Sequence, residues 1–297
     1  MLLGFPEYAV QAQALAAAAG MPCRIVDVHR FPDGESRLTL PPALPEAVAL
    51  CRSLDRPNDK LVELLLAAAT ARELGAASVS LVAPYLCYMR QDVAFAPGEA
   101  VSQRVVGRLL AERFDAVVTV DPHLHRTQDL ALALPGARAV ALSAAPLVAR
   151  FLASRLAAPL LLGPDSESRP WVEAIAAAAG FEAAVAAKAR TGDRQVAIEL
   201  PPIDFAGREV VVVDDVASTG CTLARTAERC RARGAARVHV VVTHALFVGD
   251  AVARLKAAGV DGIWSTDSVT HDSNAIALAG LLAGALAAVA PAGGGRP

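Results

Sequence analysis

Short apolar segments alternate along the chain with longer segments rich in alanine and arginine. The apolar segments have the length and valine content of buried strands, whereas the longer ones have helical periodicity. The pattern predicts strands at Arg24–Val28, Ala47–Cys51, Ser78–Ala83, Ala116–Val120, Leu160–Leu162, Ala183–Lys188, Glu209–Val213, Arg237–Thr243 and Gly262–Ser265. It predicts helices at Tyr8–Ala19, Asp59–Leu74, Glu99–Arg113, Ala145–Arg155, Arg169–Ala179, Thr222–Arg233 and Ala251–Ala258. Such alternation predicts an α/β protein with mostly parallel sheets flanked by helices.

The length of 297 residues favours two domains. Each half contains a strand that ends in a polar segment, VTVDPHLH in the first half and VVVVDDVASTG in the second. We therefore expect two similar domains at residues 1–141 and 142–290, followed by a flexible tail at 291–297. Ligands of parallel sheets bind beyond the carboxyl ends of the strands, so the loops that follow the strands are candidate sites.

Charge and composition disfavour several classes of protein. The formal net charge of −2 argues against a nucleic-acid binder that depends on a broad basic surface. The five cysteines are scattered without a CxxC pair, which predicts no disulfide framework, no zinc site and a cytoplasmic location. The N-terminus lacks the basic start of a signal peptide, and the alanine-rich stretch Ala275–Ala290 is short for a membrane span, so we expect a packed terminal helix and no membrane anchor.

The segment EVVVVDDVASTGCT, residues 209–222, carries the most informative chemical signal. A valine strand ends at Asp214 and Asp215, and small and hydroxyl-bearing residues then lead into a helix. Backbone N–H groups at such a helix start bind anions, while the two carboxylates suit ribose hydroxyls or a Mg²⁺ ion bound alongside. The residues of the predicted sugar-phosphate cradle are Ser218, Thr219, Gly220, Cys221 and Thr222. The alternative is a helix-capping turn with two acids near the helix dipole.

This segment resembles the phosphoribosyl-diphosphate loop of type I phosphoribosyltransferases and of ribose-phosphate diphosphokinases, the PRPP synthetases. Other segments resemble the PRPP synthetase motifs and occur in the same order: FPDGE at Phe31–Glu35, RPNDKLVELL at Arg56–Leu65, PYLCYMRQD at Pro84–Asp92, VDPHLHR at Val120–Arg126, GPDSES at Gly163–Ser168, KAR at Lys188–Arg190 and THALF at Thr243–Phe247. The resemblance extends from about residue 4 to residue 290. An ordered series of this kind is far more specific than any one motif.

The resemblance implies two tandem phosphoribosyltransferase-like domains, the first for ATP and the second for ribose 5-phosphate. It implies an enzyme of nucleotide biosynthesis that transfers a diphosphoryl group from Mg·ATP to the C1 hydroxyl of ribose 5-phosphate, with AMP as the other product. The residues that it assigns to ATP are Phe31, Asp33, Glu35, Arg90, Gln91, Asp92 and His123. The FPDGE loop is implied to come from a neighbouring subunit, which predicts a homo-oligomer of at least two chains.

Two further roles follow from the resemblance. His123 and Asp165 are implied at the magnesium ion of the nucleotide. Lys188 and Arg190 are implied as the catalytic pair on a mobile loop, and two cations two residues apart on an extended segment face the same side. Asp214 and Asp215, with the cradle, are implied to bind ribose 5-phosphate.

Some positions depart from the family pattern. Ser218 stands where many members carry aspartate and Cys221 where glycine is commoner, and the serine form and short chain resemble the archaeal branch. RQDVAF lacks the basic residue that often follows RQD, and GPDSES lacks the usual paired glycines. These departures leave open a different sugar-phosphate acceptor and the control by ADP and phosphate found in bacterial members.

Two alternative functions remain. A phosphoribosyltransferase that consumes PRPP with a nucleobase shares the DD–STG segment, but it needs neither two such domains nor the RQD, DPH and KAR motifs. A catalytically inactive regulatory homologue shares the fold, and the presence of Lys188 and Arg190 disfavours it.

Overall fold

A computed structural model describes residues 1–124, 126–127, 129–190 and 196–289, without the side chains of 188–190 and 196–197. The chain divides into two compact units: residues 1–142 together with 278–289, and residues 143–277. Each unit contains a parallel sheet with helices packed on it, so the predicted α/β class is confirmed.

The first unit is built on a parallel sheet of six strands and a separate antiparallel hairpin. Its strands are β1 (Leu2–Gly4), β2 (Cys23–Ile25), β3 (Asp27–Arg30), β4 (Ser36–Thr39), β5 (Ala47–Cys51), β6 (Ser78–Val82), β7 (Ala116–Val120) and β8 (Arg138–Leu142). Its helices up to residue 142 are α1 (Ala9–Ala18), α2 (Pro57–Glu73), α3 (Ser102–Ala111) and α4 (Leu130–Ala133). The sheet order is β2-β1-β5-β6-β7-β8, while β3 and β4 pair as the hairpin.

The second unit has the same arrangement. Its helices are α5 (Ala145–Ala153), α6 (Arg169–Ala179), α7 (Cys221–Ala232) and α8 (Ala251–Ala257). Its strands are β9 (Leu160–Gly163), β10 (Glu182–Val185), β11 (Ala187–Arg190), β12 (Val196–Glu199), β13 (Glu209–Ala217), β14 (Arg237–Ala245), β15 (Gly262–Thr266) and β16 (Asn274–Ile276). The sheet order is β10-β9-β13-β14-β15-β16, and β11 pairs with β12 as an antiparallel hairpin.

In each sheet, the strand that comes first in the chain lies between the next two strands of that sheet. Strand β1 lies between β2 and β5, and β9 lies between β10 and β13. The strand order therefore reverses between β1 and β5 in the first unit and between β9 and β13 in the second. In open parallel sheets such a reversal opens a crevice beyond the carboxyl ends of the strands, and ligands bind there. The fold thus indicates one equivalent crevice in each unit.

The structure differs from the sequence prediction in several elements. The predicted strand Ala183–Lys188 is divided at Ala186 into β10, in the parallel sheet, and β11, in the hairpin. The predicted strand Arg24–Val28 is likewise divided at Val26 into β2, in the parallel sheet, and the start of β3, in the hairpin. The strands that the pattern misses are β1, β4, β8, β12 and β16. Most of them have only three or four residues, and their pairing depends on distant partners, so no local periodicity indicates them.

The terminal helix belongs to a different unit from the one that the sequence division implies. Helix α9 (Ala279–Val289) packs on α1 and on the β6–β8 side of the first sheet, although the proposed boundary grouped residues 142–290 together. Both helices are rich in alanine, whose small side chains allow close helix approach. The proposed tail, 291–297, lies outside the described residues. Within the described ranges, no helix is both long and apolar enough to cross a bilayer.

Candidate active site

The sugar-phosphate segment lies at the strand-order reversal of the second unit. Strand β13 extends to Ala217, four residues beyond its predicted end, and α7 begins at Cys221 after a short turn. Gly220 takes a φ of +69°, a left-handed conformation that glycine adopts without strain. No side chain among the described residues caps α7, so its first-turn N–H groups are suited to an anionic ligand.

The segment that follows β14 is hydrogen-bonded to the start of this turn. The N–H of Phe247 donates to the carbonyl of Ala217 at 2.9 Å, and the N–H of Val248 donates to that of Ser218, also at 2.9 Å. These bonds continue the β13–β14 pairing beyond the sheet and hold the first half of the turn. The THALF motif, for which the sequence alone gives no role, therefore shapes the predicted cradle.

Three carboxylates gather at this reversal. Asp214 and Asp215 are adjacent in β13, and Asp165 follows the neighbouring strand β9. Burial raises the pKa of Asp214 well above its ordinary value, and the charges of Asp215 and Asp165 raise it further. Asp165 is itself held in place, because its Oδ1 accepts a hydrogen bond of 2.9 Å from the N–H of Glu167. The site therefore concentrates negative charge that a cation or a hydroxyl donor would relieve.

The predicted ATP residues of the hairpin lie at its tip. Phe31 follows β3, its N–H donates to the carbonyl of Glu35 at 2.8 Å, and the residue is 40% exposed. The ring of His29 meets that of Phe31 edge to face, with centroids 4.8 Å apart. Asp33 and Glu35 are exposed on the same turn, and the Oδ1 of Asp33 accepts the N–H of Glu35 at 3.1 Å. The tip thus presents one aromatic ring and two carboxylates to a ligand.

The RQD segment divides into an exposed part and a buried part. Arg90 is exposed and Gln91 half-buried, whereas Asp92 is buried. Asp92 accepts hydrogen bonds from the backbone and the guanidinium of Arg126, at 3.1 and 2.9 Å. Although burial acts to raise it, these bonds hold the pKa of Asp92 below its usual value.

Asp92 therefore anchors the segment that follows β7, which also contains His123. Arg126 is the last residue of the VDPHLHR motif, and the sequence assigns it no task. Its place in that motif is the sequence signal that could have pointed to its role. His123 is half-buried and belongs to the first unit, whereas Asp165 belongs to the second. Their proposed sharing of one magnesium ion remains a prediction.

The predicted catalytic pair lies in the hairpin of the second unit. The sequence places Lys188 and Arg190 beyond a strand, but their backbones belong to β11, where Lys188 pairs with Ile198 and Arg190 with Val196. Their side chains, and residues 191–195 between the two strands, lie outside the described residues. The mobility predicted for this loop remains a prediction.

No group of three or more His, Cys, Asp or Glu side chains in the described residues is arranged to hold a metal ion by itself. Magnesium does not require such a cage, because it usually keeps several waters and binds one or two carboxylates together with substrate phosphates. The three acids at the β9–β13 reversal offer the hard oxygen ligands that such an ion takes.

Family models match both units of the chain. Residues 2–113 match the N-terminal domain of ribose phosphate pyrophosphokinase, and residues 142–276 match the phosphoribosyl transferase domain. A ribose-phosphate pyrophosphokinase of Methanopyrus kandleri is 36% identical over 257 residues, which cover 86% of this chain and 87% of the relative. One from Halobacterium salinarum is 34% identical and covers 96% of this chain and 100% of the relative.

A solved structure has the same fold across nearly the whole chain. The phosphoribosylpyrophosphate synthetase of Mycobacterium smegmatis superimposes with a TM-score of 0.82 at 22% identity, covering 97% of this chain and 98% of that one. The resemblance first seen in the ordered motifs is confirmed by these comparisons.

Proposed function

The chain belongs to the ribose-phosphate pyrophosphokinase family, and from this premise we propose that it transfers the diphosphoryl group of ATP to the C1 hydroxyl of ribose 5-phosphate. The products are 5-phosphoribosyl 1-diphosphate and AMP. The observation that carries the proposal is the uncapped start of α7 beside Asp165, Asp214 and Asp215 at the β9–β13 reversal. The proposed compartment is the cytoplasm, where the five free cysteines would stay reduced.

The second unit is the proposed sugar-phosphate side. The first-turn N–H groups of α7 and the hydroxyls of Ser218, Thr219 and Thr222 bind the 5-phosphate. Asp214 and Asp215 accept hydrogen bonds from ribose hydroxyls, which orients the C1 hydroxyl toward the donor. These bonds also offset the burial and the charge repulsion that raise the pKa of Asp214.

Charge neutralisation and alignment are the main tasks of the protein in this reaction. The C1 oxygen forms a bond to the β-phosphorus while the bond from that phosphorus to the oxygen of the α-phosphate breaks, AMP leaves with that oxygen, and the hydroxyl proton passes to solvent water. Lys188 and Arg190 hold the transferring group and the departing AMP, and the adenine lies against Phe31 with Asp33 and Glu35 as acceptors for its amine. Alignment of this kind converts a two-substrate encounter into a step within one complex.

Magnesium fits the acidic cluster, because it prefers oxygen ligands and Asp214 is destabilised in its charged form. Asp165 would hold it together with the substrate phosphates, with Asp214 or Asp215 as a second carboxylate, and His123 would contact it or a phosphate oxygen. When bound, it neutralises phosphate charge and so favours attack by an oxygen nucleophile.

The direct test of the function supplies the protein with ATP, Mg²⁺ and ribose 5-phosphate and measures AMP and diphosphorylated sugar. Consumption of PRPP with a nucleobase, without AMP formation from ATP, would identify a phosphoribosyltransferase instead. Binding of both substrates without turnover would identify an inactive homologue. Either result would overturn the proposal.

Substitution of Asp214 by asparagine should raise the KM for ribose 5-phosphate and also raise the thermal stability of the protein. We expect the KM for ribose 5-phosphate to rise by about 10- to 100-fold, as for loss of a hydrogen bond to a charged group, with a smaller change for ATP. The pKa of Asp214 is raised on folding, so its charged form destabilises the protein once the pH exceeds the pKa of an unfolded aspartate. Asp214→Asn should therefore have a higher Tm than wild type at pH 7.5.

Asp204→Asn, which replaces an aspartate of the same unit, is the matched control and should change neither KM. The gain in Tm for Asp214→Asn should shrink toward pH 4, where wild-type Asp214 is already protonated. If the ATP KM rises while the sugar KM stays flat, the assignment of the two units to the two substrates is inverted.

The assembly prediction follows from the exposed hairpin tip. If Phe31, Asp33 and Glu35 complete the ATP site of a neighbour, dilution should lower activity and ATP affinity together. Mixing a Phe31→Ala protein with a Lys188→Ala protein should then recover part of the wild-type activity, because some hybrid sites contain neither defect. Light scattering under assay conditions provides the check, and a fully active monomer would exclude the shared site.

A further inference from the structure

An arginine that belongs to none of the sequence motifs lies beside the predicted cradle. Arg254 on α8 points its Nη1 at the Sγ of Cys221, 3.2 Å away, and Cys221 is the first residue of α7. The Nη2 of Arg254 donates to both carboxylate oxygens of Asp250, at 2.8 and 3.0 Å. The guanidinium is thus held on one side by an ion pair and rests on the other against a thiol.

The position of α8 relative to the turn is fixed by packing. A Cβ built on Gly220 would approach the carbonyl oxygen and the Cβ of Ala251 to 3.3 and 3.4 Å, so the start of α8 lies directly against the turn. The bonds from Phe247 and Val248 to residues of the turn tie the same segment from the other end. The backbone of Arg254 is therefore held at a fixed position beside the cradle.

The partner of Nη1 is a poor one. A neutral thiol is a weak acceptor, whereas a guanidinium and a phosphate form charge-assisted hydrogen bonds that are about twice as strong as neutral ones. Asp250 orients the guanidinium through Nη2 but leaves Nη1 on the thiol. A phosphate oxygen that reached the start of α7 would offer Nη1 a stronger acceptor.

We propose that Arg254 is a binding residue for the terminal phosphate of the sugar phosphate, positioned by Asp250 and by the thiol of Cys221. This inference rests on the proposed function. Nη1 exchanges the sulfur of Cys221 for a phosphate oxygen and adds a positive charge to a cradle that the 218–222 turn otherwise builds from N–H and O–H donors. Cys221, at a position where the family more often has glycine, supplies the contact that holds the guanidinium near the turn when the site is empty.

The test compares Arg254→Gln with Arg254→Lys and with Arg229→Gln, which removes an exposed arginine from the last turn of α7. We expect Arg254→Gln to raise the KM for ribose 5-phosphate by about 10- to 100-fold, with kcat at saturating sugar and the ATP KM nearly unchanged. Arg254→Lys should recover part of the loss, and Arg229→Gln should match wild type. Equal sugar KM values in wild type and Arg254→Gln would overturn the inference.

Alkylation by iodoacetamide measures sugar binding without turnover. Cys221 and Cys23 are partly exposed, whereas Cys51, Cys87 and Cys230 are buried. Burial raises the pKa of Cys87 and that of Cys230 to about 12 each, so both should be inert at pH 8. Ribose 5-phosphate should slow alkylation of Cys221 and leave that of Cys23 unchanged, as peptide mass analysis can follow.

The concentration of ribose 5-phosphate that halves the alkylation rate of Cys221 should rise in Arg254→Gln by the same factor as the KM. Protection that depends on Arg254 in a protein without synthetase turnover would refute the proposed reaction while upholding this inference. Turnover with Arg254-independent protection, or with none, would refute the inference while upholding the reaction.

Discussion

Alanine at Lys188 or at Arg190 should lower kcat by about 10²- to 10⁴-fold with little change in the KM for ATP, the range found when one preorganised charge is removed from a site. Both residues lie on β11, opposite β12, next to the 191–195 segment that joins the strands. In the proposed reaction, negative charge spreads over the transferring group and AMP as the bond to the α-phosphate breaks, and the two cations are expected to stabilise that transition state. Such contacts lower kcat and kcat/KM together when they are lost.

The measurement is steady-state formation of AMP at saturating ATP and ribose 5-phosphate. Arg229→Ala removes an exposed cation from α7 and should retain wild-type turnover, which separates a local effect from a loss of net charge. Lys188→Arg should keep more activity than Lys188→Ala, because the charge is retained. Wild-type kcat in both alanine variants would refute the assignment of the pair.

The two strand-order reversals support placing the sugar phosphate in the second unit. At the β9–β13 reversal, burial and the charges of Asp215 and Asp165 raise the pKa of Asp214. Beyond β1 and β5, by contrast, Arg52 donates to both Glu63 and Glu7. The charge of Arg52 is therefore matched by two carboxylates, whereas the second crevice retains repulsion that a ligand can offset.

Local sequence pattern predicts the long buried elements well. The valine run of β13 and the amphipathic α7 follow from periodicity and composition, and they place Asp214 and the turn correctly. Strand β4 was missed because its largely polar residues are extended only through pairing with β3. The location of α9 could not be predicted, because an alanine-rich helix fits any surface of small residues and only tertiary packing selects one.

The contacts of the candidate site could not be predicted from local sequence either. Asp165 acts on Asp214 only because β9 lies beside β13, a neighbour relation between segments almost 50 residues apart that no local signal contains. Arg126 and Arg254 each make their contact with a residue more than 30 positions away. Arginines are common in this chain, and nothing in their immediate sequence distinguishes these two.

Arg52→Ala should destabilise the first unit by about 3–5 kcal/mol, the cost of leaving a buried charge without its partner. Arg52 follows β5 and its side chain is 1% exposed. Its guanidinium donates to Glu63, to the Oε1 of Glu7 at 2.6 Å and to the carbonyl of Lys60 at 3.2 Å. It also lies 4.1 Å from the ring centroid of Phe5. Alanine removes all of these contacts and leaves Glu63, which is buried, with fewer donors.

The remaining donors to Glu63 are the hydroxyl of Ser36 at 2.8 Å and the Nε of Arg30 at 3.1 Å. Burial acts to raise its pKa, but the bonds from Arg52, Ser36 and Arg30 hold the pKa of Glu63 below its usual value. A carboxylate of this kind stabilises the fold above its unfolded pKa and loses that contribution as the pH falls through its folded pKa. The difference between wild type and Arg52→Ala should therefore be full at pH 7 and shrink below about pH 4.5.

Urea unfolding at several pH values measures this difference, and urea is preferable to guanidinium because it does not screen charges. Arg237→Ala breaks an exposed ion pair with Glu209, whose closest N–O distance is 3.9 Å, and should cost less than about 1 kcal/mol. The double variant Arg52→Met with Glu63→Leu should lose less stability than Arg52→Ala, because an apolar pair leaves no uncompensated carboxylate. If Arg52→Ala costs no more than Arg237→Ala, the network around Glu63 contributes nothing specific, and the first crevice must be stabilised by its apolar surroundings alone.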